Sequence, residues 1–269
     1  MHNGFTYKNS TTVLTNSQKT NSSSVLTESE KDDKPIEFLL SWSHYLKLIQ
    51  IDDENERCFY EIESYKNNWS VRELQRQFDS ALYTRLVLSL DKNKAKELSK
   101  KGLIENQPQD VIKDPYILEF LGLSEKPNYS ENDLEQKLIQ KLGNFLLELG
   151  TGFTFVARQK RISFDDQHFR IDLVFYHRTL RCFVLIDLKI GKLKHQDIGQ
   201  MQMYVNYYDR EIKAKDEAPT IGLILCQHKN QSIVEYTLPE NNQQIFASKY
   251  KTVLPSKKEL KQWIELQYE

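Results

Sequence analysis

Two predicted strands in the C-terminal half of the chain each carry an aspartate inside an apolar run. The runs are Ile171-Asp172-Leu173-Val174-Phe175 and Leu185-Ile186-Asp187-Leu188-Lys189. A carboxylate in an apolar strand costs free energy unless it is paired, hydrogen-bonded or bound to a metal ion. Two such strands in succession argue against an accident of packing and predict that the carboxylates form a functional site.

The spacing within these strands predicts where the side chains point. Because side chains alternate between the two faces of a strand, Asp187 and Lys189 project from one face and Leu188 from the other. A hairpin turning at residues 178–181 would place Asp172 opposite Asp187 in its symmetric register. Like charges opposed across a ladder are destabilising, and a divalent cation between them would turn that repulsion into binding. Carboxylate oxygens suit Mg²⁺ or Mn²⁺.

Hydrolysis of a phosphodiester needs this set of groups. A bound metal ion polarises a phosphate oxygen and activates a water molecule, and Lys189 stabilises the developing charge or helps to position that water. Glu135 lies one step off an apolar helical stripe, so we expect it to face the edge of the sheet and to complete the site as a metal ligand. The alternative is a first-turn glutamate that favours the helix dipole.

Further polar and basic residues fall on the neighbouring elements. Gln200 and Tyr204 lie four residues apart on one flank of a predicted helix, and Gln202 lies on the other flank. Two alternatives are open for each of these side chains: it reaches the site, or it only makes structural hydrogen bonds. A basic set could neutralise phosphates, although a charge run is usually a solvated face. Its members are Arg158, Lys160, Arg161, Arg170, Lys192 and Lys194, with Arg178 and Arg181 at the hairpin.

The order of predicted elements defines an α/β core of helix, three strands, helix and strand. A capping box at Ser130 opens a helix that Gly150 and Gly152 end. Strands are predicted over 153–162, 169–176, 182–189 and 220–226, with a helix over 196–212 before the last strand. Ser256 is predicted to cap one more helix near the C-terminus.

The residues ahead of this core are predicted to form two regions. Residues 1–34 are polar and expected to be a disordered tail. Residues 35–127 are predicted to form a small helical domain that binds DNA or a partner, with the core domain at 128–269. A capping box at Ser70 opens a third helix, predicted to run to about residue 88. This helix is either the second helix of a helix-turn-helix, with Arg72 and Arg76 one above the other, or part of a bundle with a solvated charged face.

Composition limits the class of protein. Hydrophobic residues make up 39% of the chain, charged residues 28%, and the net charge is −1. These values exclude a uniformly basic surface but allow a local basic patch. No apolar run spans a bilayer and no signal pattern is seen, so we expect a cytoplasmic protein without a membrane partner. The three cysteines have no metal-binding spacing and are expected to be reduced.

The sequence segments that contain these residues resemble those of the YhcG-type PD-(D/E)XK nucleases of bacteria. The resemblance implies a restriction-endonuclease-like core, dependence on a divalent metal and a nucleic-acid substrate. Asp172, Asp187 and Lys189 fall on the motif positions, Glu135 on the acid of the first helix, and Gln200-x-x-x-Tyr204 on a motif of some members. Family members usually have a longer helical region, so truncation of the helical domain is one expectation. The remaining strings are Leu40–Tyr45, Phe59–Glu63, Asn68–Leu74 and Asp114–Leu121.

The sequence thus predicts a metal-dependent nuclease that hydrolyses phosphodiester bonds in DNA with an acid-acid-Lys site. The alternative is a catalytically silent nucleic-acid-binding or assembly module on the same fold, because a fold does not fix a function. A homo-oligomer is left open.

Overall fold

Two of the N-terminal helices begin at capping side chains. The computed structural model describes residues 38–89, 92–125, 128–164, 166–256, 258–259 and 262. In this region Asp53 accepts a hydrogen bond of 2.7 Å from the Glu56 backbone N–H, and Ser70 and Glu73 form the predicted capping box. The helices are α1 (Trp42–Leu48), α2 (Glu54–Lys66), α3 (Val71–Asp79), α4 (Leu82–Ser89) and α5 (Lys92–Lys101).

The predicted third helix is two helices. Helix α3 ends at the C-cap Ser80, and Ala81 has a φ of 54°, in the left-handed region that interrupts a right-handed helix. The break leaves the Ser80 carbonyl accepting a hydrogen bond of 3.0 Å from Arg85 Nε. The prediction of one continuous helix to about residue 88 was therefore wrong, because a buried side chain rather than helix propensity decides the backbone there.

The predicted core order of helix, three strands, helix and strand is confirmed. A short strand β1 (Tyr116–Ile117) precedes helices α6 (Glu131–Gln140) and α7 (Leu142–Leu149). These two helices replace the single predicted one, because the chain leaves helical geometry at Lys141. The rest of the core consists of β2 (Phe153–Phe164), β3 (Gln167–His177), β4 (Cys182–Lys192), α8 (His195–Tyr207), β5 (Ile221–His228), α9 (Gln231–Thr237) and β6 (Ile245–Lys251), with a π-helical turn at Tyr208–Ile212 continuing α8.

The strands form one mixed sheet in the order β1-β6-β5-β4-β3-β2. Strands β2, β3 and β4 are antiparallel neighbours, whereas β5, β6 and β1 add in parallel after β4. The elements β1, β6 and α9 were not predicted from the sequence. The two additional strands widen the sheet beyond β5. Helices cover both faces of the central strands β4 and β5.

Two apolar layers cover the faces of the sheet. Helices α6 and α7 pack on one face, where Phe145 meets Phe175 in an edge-to-face contact with ring centroids 5.9 Å apart. Helix α8 packs on the other face through side chains that include Met201 and Val205. A third cluster around Phe59 and Tyr60 forms the interior of the N-terminal helices.

A buried charge network joins the N-terminal helices to the core. Arg85 Nη1 of α4 lies 2.6 Å from Glu148 Oε1 of α7, and both side chains are fully buried. The same carboxylate oxygen accepts a hydrogen bond of 2.9 Å from the Ile117 N–H of β1, and Lys113 Nζ donates to the Glu148 carbonyl. One glutamate therefore ties together α4, α7 and the edge strand β1.

The structure favours the bundle over the helix-turn-helix for α3. Arg76 is largely buried, with Nε 2.9 Å from Glu119 Oε1 and Nη2 3.2 Å from Glu148 Oε2. Its guanidinium also lies over the Phe120 ring at 5.3 Å from the centroid. Because these contacts occupy Arg76 inside the protein, it does not present the recognition surface that the helix-turn-helix requires.

Several predictions fall on parts of the chain that the structure does not describe. The polar tail at 1–34 lies outside the described residues, and so do residues 126–127 at the predicted boundary between the helical domain and the core, so the domain boundaries stay predictions. Ser256 and Glu259 do form the predicted capping box, with a hydrogen bond of 2.8 Å from the Ser256 N–H to Glu259 Oε2. Within the described ranges, no helix is both long and apolar enough to cross a membrane.

We predict that Glu148→Gln lowers the free energy of unfolding by about 3–5 kcal/mol, because it leaves a buried guanidinium without its countercharge. Urea unfolding of the two proteins measures this change. Asp216→Asn is the matched control, since the Asp216 pair with Arg181 is exposed and its loss should cost about 1 kcal/mol or less. Equal effects of the two substitutions would contradict the importance of the buried pair.

The same pair predicts a dependence of stability on pH. Burial alone would raise the pKa of Glu148, but the charges of Arg85, Lys113 and Arg76 outweigh burial and hold this pKa below its ordinary value. The stabilisation from the ionised carboxylate is therefore complete above the unfolded-state pKa and is lost as pH falls through the folded-state pKa. The difference between wild type and Glu148→Gln should shrink on acidification.

Candidate active site

The hairpin of β3 and β4 brings the two strand aspartates together. Its loop is residues 178–181, and its antiparallel register pairs Leu173 with Ile186, so Asp172 and Asp187 occupy the next opposed position. Asp172 Oδ2 accepts a hydrogen bond of 2.8 Å from the Leu188 backbone N–H. The geometric prediction of adjacent aspartates on antiparallel strands is confirmed.

Asp187 and Lys189 share one face of β4, as their spacing predicts. Lys189 Nζ lies 2.8 Å from Asp187 Oδ2, and Leu188 between them is buried in the layer beneath α6 and α7. Oδ2 of Asp187 is buried and accepts no hydrogen bond of regular geometry, so its contact with the ammonium is an ion pair. This oxygen therefore keeps capacity for another positive ligand.

The surroundings of Asp187 make its carboxyl group harder to ionise. Burial, followed by the negative charge of Asp172, raises the pKa of Asp187 to about 7, although Lys189 acts in the opposite direction. Burial lowers the pKa of Lys189, but the Asp187 carboxylate outweighs it and holds this pKa above its ordinary value. The lysine is therefore a permanent cation in this site rather than a proton acceptor.

Glu135 of α6 reaches the aspartates through a third residue. Gln159 Nε2 of β2 donates to Glu135 Oε2 and also to Asp172 Oδ1, at 3.1 Å from the latter. Burial, partly offset by this amide, raises the pKa of Glu135, and Asp172 raises it further. The four predicted residues Glu135, Asp172, Asp187 and Lys189 thus lie in one cluster, with Gln159 at its centre.

Sequence analysis missed Gln159. It stands between Arg158 and Lys160 in a strand whose alternation gave it no special place. Its backbone has a φ of 46°, a left-handed conformation within a strand, and that conformation has no signature in the sequence of a non-glycine residue. Only the antiparallel pairing of β2 with β3, which opposes Gln159 and Asp172, reveals its role.

The polar residues of α8 support the fold rather than the acids. Tyr204 is fully buried and its hydroxyl donates a hydrogen bond of 2.9 Å to the Arg170 carbonyl of β3, while Gln200 Nε2 donates to that hydroxyl. Burial raises the pKa of Tyr204 to about 12, so the hydroxyl remains a donor. Gln202 donates instead to Asn206 Oδ1 at 3.2 Å, within its own helix.

The predicted nucleic-acid-binding residues lie on the surface around this cluster. All six are exposed, and none makes an ion pair within the ranges that the structure describes; they are Arg158, Lys160, Arg161, Arg170, Lys192 and Lys194. Their positive charges are therefore available to an external anion.

The acids are not arranged as a ready-made three-ligand metal site. Among the described residues, no three histidine, cysteine, aspartate or glutamate side chains lie together in a way that could hold a metal ion. The amide of Gln159 lies between the carboxylates of Glu135 and Asp172. The assignment of Glu135 as a third metal ligand stays a prediction.

Comparison with known proteins identifies the family. The family described as the YhcG PDDEXK nuclease domain matches residues 109–265, and the DUF1016 N-terminal domain matches residues 2–85. The chain belongs to the YhcG PDDEXK nuclease family. It is 44% identical over 223 residues to the protein named "Putative nuclease YhcG" of Escherichia coli (strain K12). The match covers 83% of this chain and 59% of that relative, so the chain spans somewhat over half of the relative's length.

Solved structures share only weak likeness with the chain. A repair endonuclease from Pyrococcus abyssi is 15% identical with a TM-score of 0.31 and matches 49% of this chain and 50% of its own. A complex titled EndoMS-dsDNA2 is 12% identical with a TM-score of 0.32 and matches 50% of each chain. Scores this low do not establish a common function.

We predict that Tyr204→Phe lowers the free energy of unfolding by about 1–3 kcal/mol, because the Arg170 carbonyl loses its buried donor. Chemical denaturation measures the effect. Tyr236→Phe is the control, since the Tyr236 side chain is 91% exposed and should contribute almost nothing. A Tyr204→Phe protein as stable as wild type would show that this hydrogen bond does not hold α8 to β3.

Proposed function

We propose that the protein is a divalent-metal-dependent nuclease that hydrolyses phosphodiester bonds, with DNA as its substrate. The observation that carries the proposal is the convergence of Asp172, Asp187 and Lys189 at one position of the sheet, with Glu135 linked to them through Gln159. Two like-charged carboxylates brought together on adjacent strands are costly for a protein that only needs a stable fold.

The two aspartates have the chemistry to hold Mg²⁺ or Mn²⁺. They present hard carboxylate oxygens at an opposed strand position, and the buried Asp187 Oδ2 lacks a regular hydrogen bond. Mg²⁺ is commonly held by one or two carboxylates while water and substrate phosphate complete its shell, so a third protein ligand is not required. Such an ion, when bound, would polarise the phosphate and make a water molecule more acidic.

Lys189 is assigned to charge stabilisation. Its ammonium is held 2.8 Å from Asp187, and its raised pKa keeps it protonated at neutral pH. A fixed ammonium beside the scissile group would stabilise negative charge as it develops on phosphate oxygens. In this role Lys189 donates hydrogen bonds and does not accept a proton.

We predict that Asp187→Asn abolishes cleavage but not binding. The change keeps the side-chain size and removes one charge from the metal-binding pair, so cleavage with Mg²⁺ or Mn²⁺ should fall by orders of magnitude. Affinity for nucleic acid in chelator should hold or rise, since an anion near the phosphate is removed. Thermal stability in chelator should not fall much, because the carboxylate pair repels itself.

Cleavage assays, binding assays in chelator and thermal unfolding of wild type and variant decide this prediction. A variant that binds as before and cuts at the wild-type rate would remove Asp187 from the site. If the wild type cuts neither DNA nor RNA with either metal, the chain is the binding or assembly module instead.

We predict that the exposed basic residues carry the electrostatic part of binding. The double substitution Lys160→Ala and Arg161→Ala should weaken DNA binding similarly for different sequences. It should also reduce the slope of log affinity against log salt by about one for each phosphate that the variant no longer neutralises. Lys249→Ala is the control, since Lys249 is exposed on β6 and three strands of the sheet lie between β6 and β2. An unchanged salt slope in the double variant would exclude these two residues from the interface.

A further inference from the structure

The position of Gln159 is unusual for a strand residue. Its φ of 46° lies in the left-handed region, which costs free energy for any residue with a Cβ atom, and a glutamine gains nothing local from it. The pairing of β2 with β3 shifts register between Phe155 and Ala157, so the strand is irregular just before this residue. The surrounding structure must therefore compensate for this conformation.

The hydrogen bonds of the Gln159 side chain offset the free-energy cost of this backbone conformation. Its Nε2 donates to Glu135 of α6 and to Asp172 of β3, two carboxylates from different elements that share no other donor in the described contacts. The two carboxylates carry like charges, and the N–H groups of this amide face both of them. A neutral side chain with two N–H groups is thus placed where a cation would relieve the repulsion between them.

We propose that Gln159 is a positioning residue of the active site: its amide holds the carboxylates of Glu135 and Asp172 side by side when no cation is bound. This inference rests on the proposed function for its purpose but not for its geometry. The carboxylates of the cluster are then held in two different ways. Asp187 pairs with the ammonium of Lys189, whereas Asp172 and Glu135 are paired through an uncharged amide.

A thermal-unfolding cycle in chelator tests this role on the full chain. Gln159→Leu removes the shared donor and leaves two facing carboxylates, so the Tm should fall by about 3–8 °C. In a Glu135→Gln background the repulsion is absent, and the same substitution should lower the Tm by less than half as much. Gln75→Leu is the matched control, because Gln75 donates to the single carboxylate of Asp79 on the exposed side of α3.

The cycle discriminates positioning from packing. If Gln159→Leu lowers the Tm equally in both backgrounds, or no more than Gln75→Leu does, then Gln159 acts as an ordinary structural side chain and the proposal is overturned. Should Gln159→Leu not fold, Gln159→Glu keeps the size and adds a third carboxylate. Its Tm should be low in chelator and should recover on adding Glu135→Gln; no recovery would also overturn the proposal.

Titration with Mn²⁺ provides the second readout. A bound cation would supply the screening that the amide gives, so saturating Mn²⁺ should raise the Tm of Gln159→Leu by more than it raises that of wild type. An equal rise in both proteins would count against the positioning role. If Mn²⁺ shifts neither Tm, the proposed metal site fails, while the cycle in chelator still decides the role of Gln159.

Discussion

The buried pair of Arg85 and Glu148 is the interaction on which the arrangement of the molecule depends. Two charges removed from water are stable only if each polar atom finds a partner, and here the carboxylate and guanidinium meet that requirement through Ile117, Pro115 and Ser80. Because those partners lie at the end of α3, directly before β1 and in β1, satisfying this ion pair orients α4 and α7 against both elements. The break between α3 and α4 belongs to the same network, because it leaves the Ser80 carbonyl free to accept a hydrogen bond from Arg85.

The active-site cluster follows the same rule with a different result. Its carboxylates are compensated by the amide of Gln159, the ammonium of Lys189 and the Leu188 backbone N–H. Both carboxylate oxygens of Glu148 accept hydrogen bonds, whereas Asp187 keeps a buried oxygen without a regular hydrogen bond. This difference is the one expected between a carboxylate that stabilises a fold and one that would take a further positive ligand.

Local geometry explains which parts were predictable from the sequence. The opposition of Asp172 and Asp187 follows from a symmetric hairpin, and the common face of Asp187 and Lys189 follows from the period of a strand. By contrast, Glu148 and Arg85 are 63 residues apart, and their pairing depends on packing that no short pattern records. The left-handed backbone of Gln159 and the helix breaks at Ala81 and Lys141 are likewise hidden, because none of these residues is a glycine or a proline. Residues 245–251 lack an apolar run like those of β4 and β5, so strand β6 was not predicted from the sequence.

The hydrogen bonds and the ion pair that the carboxylates of this site already make also determine how a cation would bind. Glu135 and Asp172 already accept hydrogen bonds from Gln159, and Asp187 already pairs with Lys189, so the binding of a cation would exchange partners rather than fill an open cage. The free energy of binding would then be the difference between two compensated states, and it would be smaller than the attraction between the ion and three free carboxylates. A phosphate that brings its own negative charge would add to the attraction, since Mg²⁺ commonly shares its shell between protein and substrate. Stable folding without a cation and tight binding in the presence of substrate are therefore compatible in one set of residues.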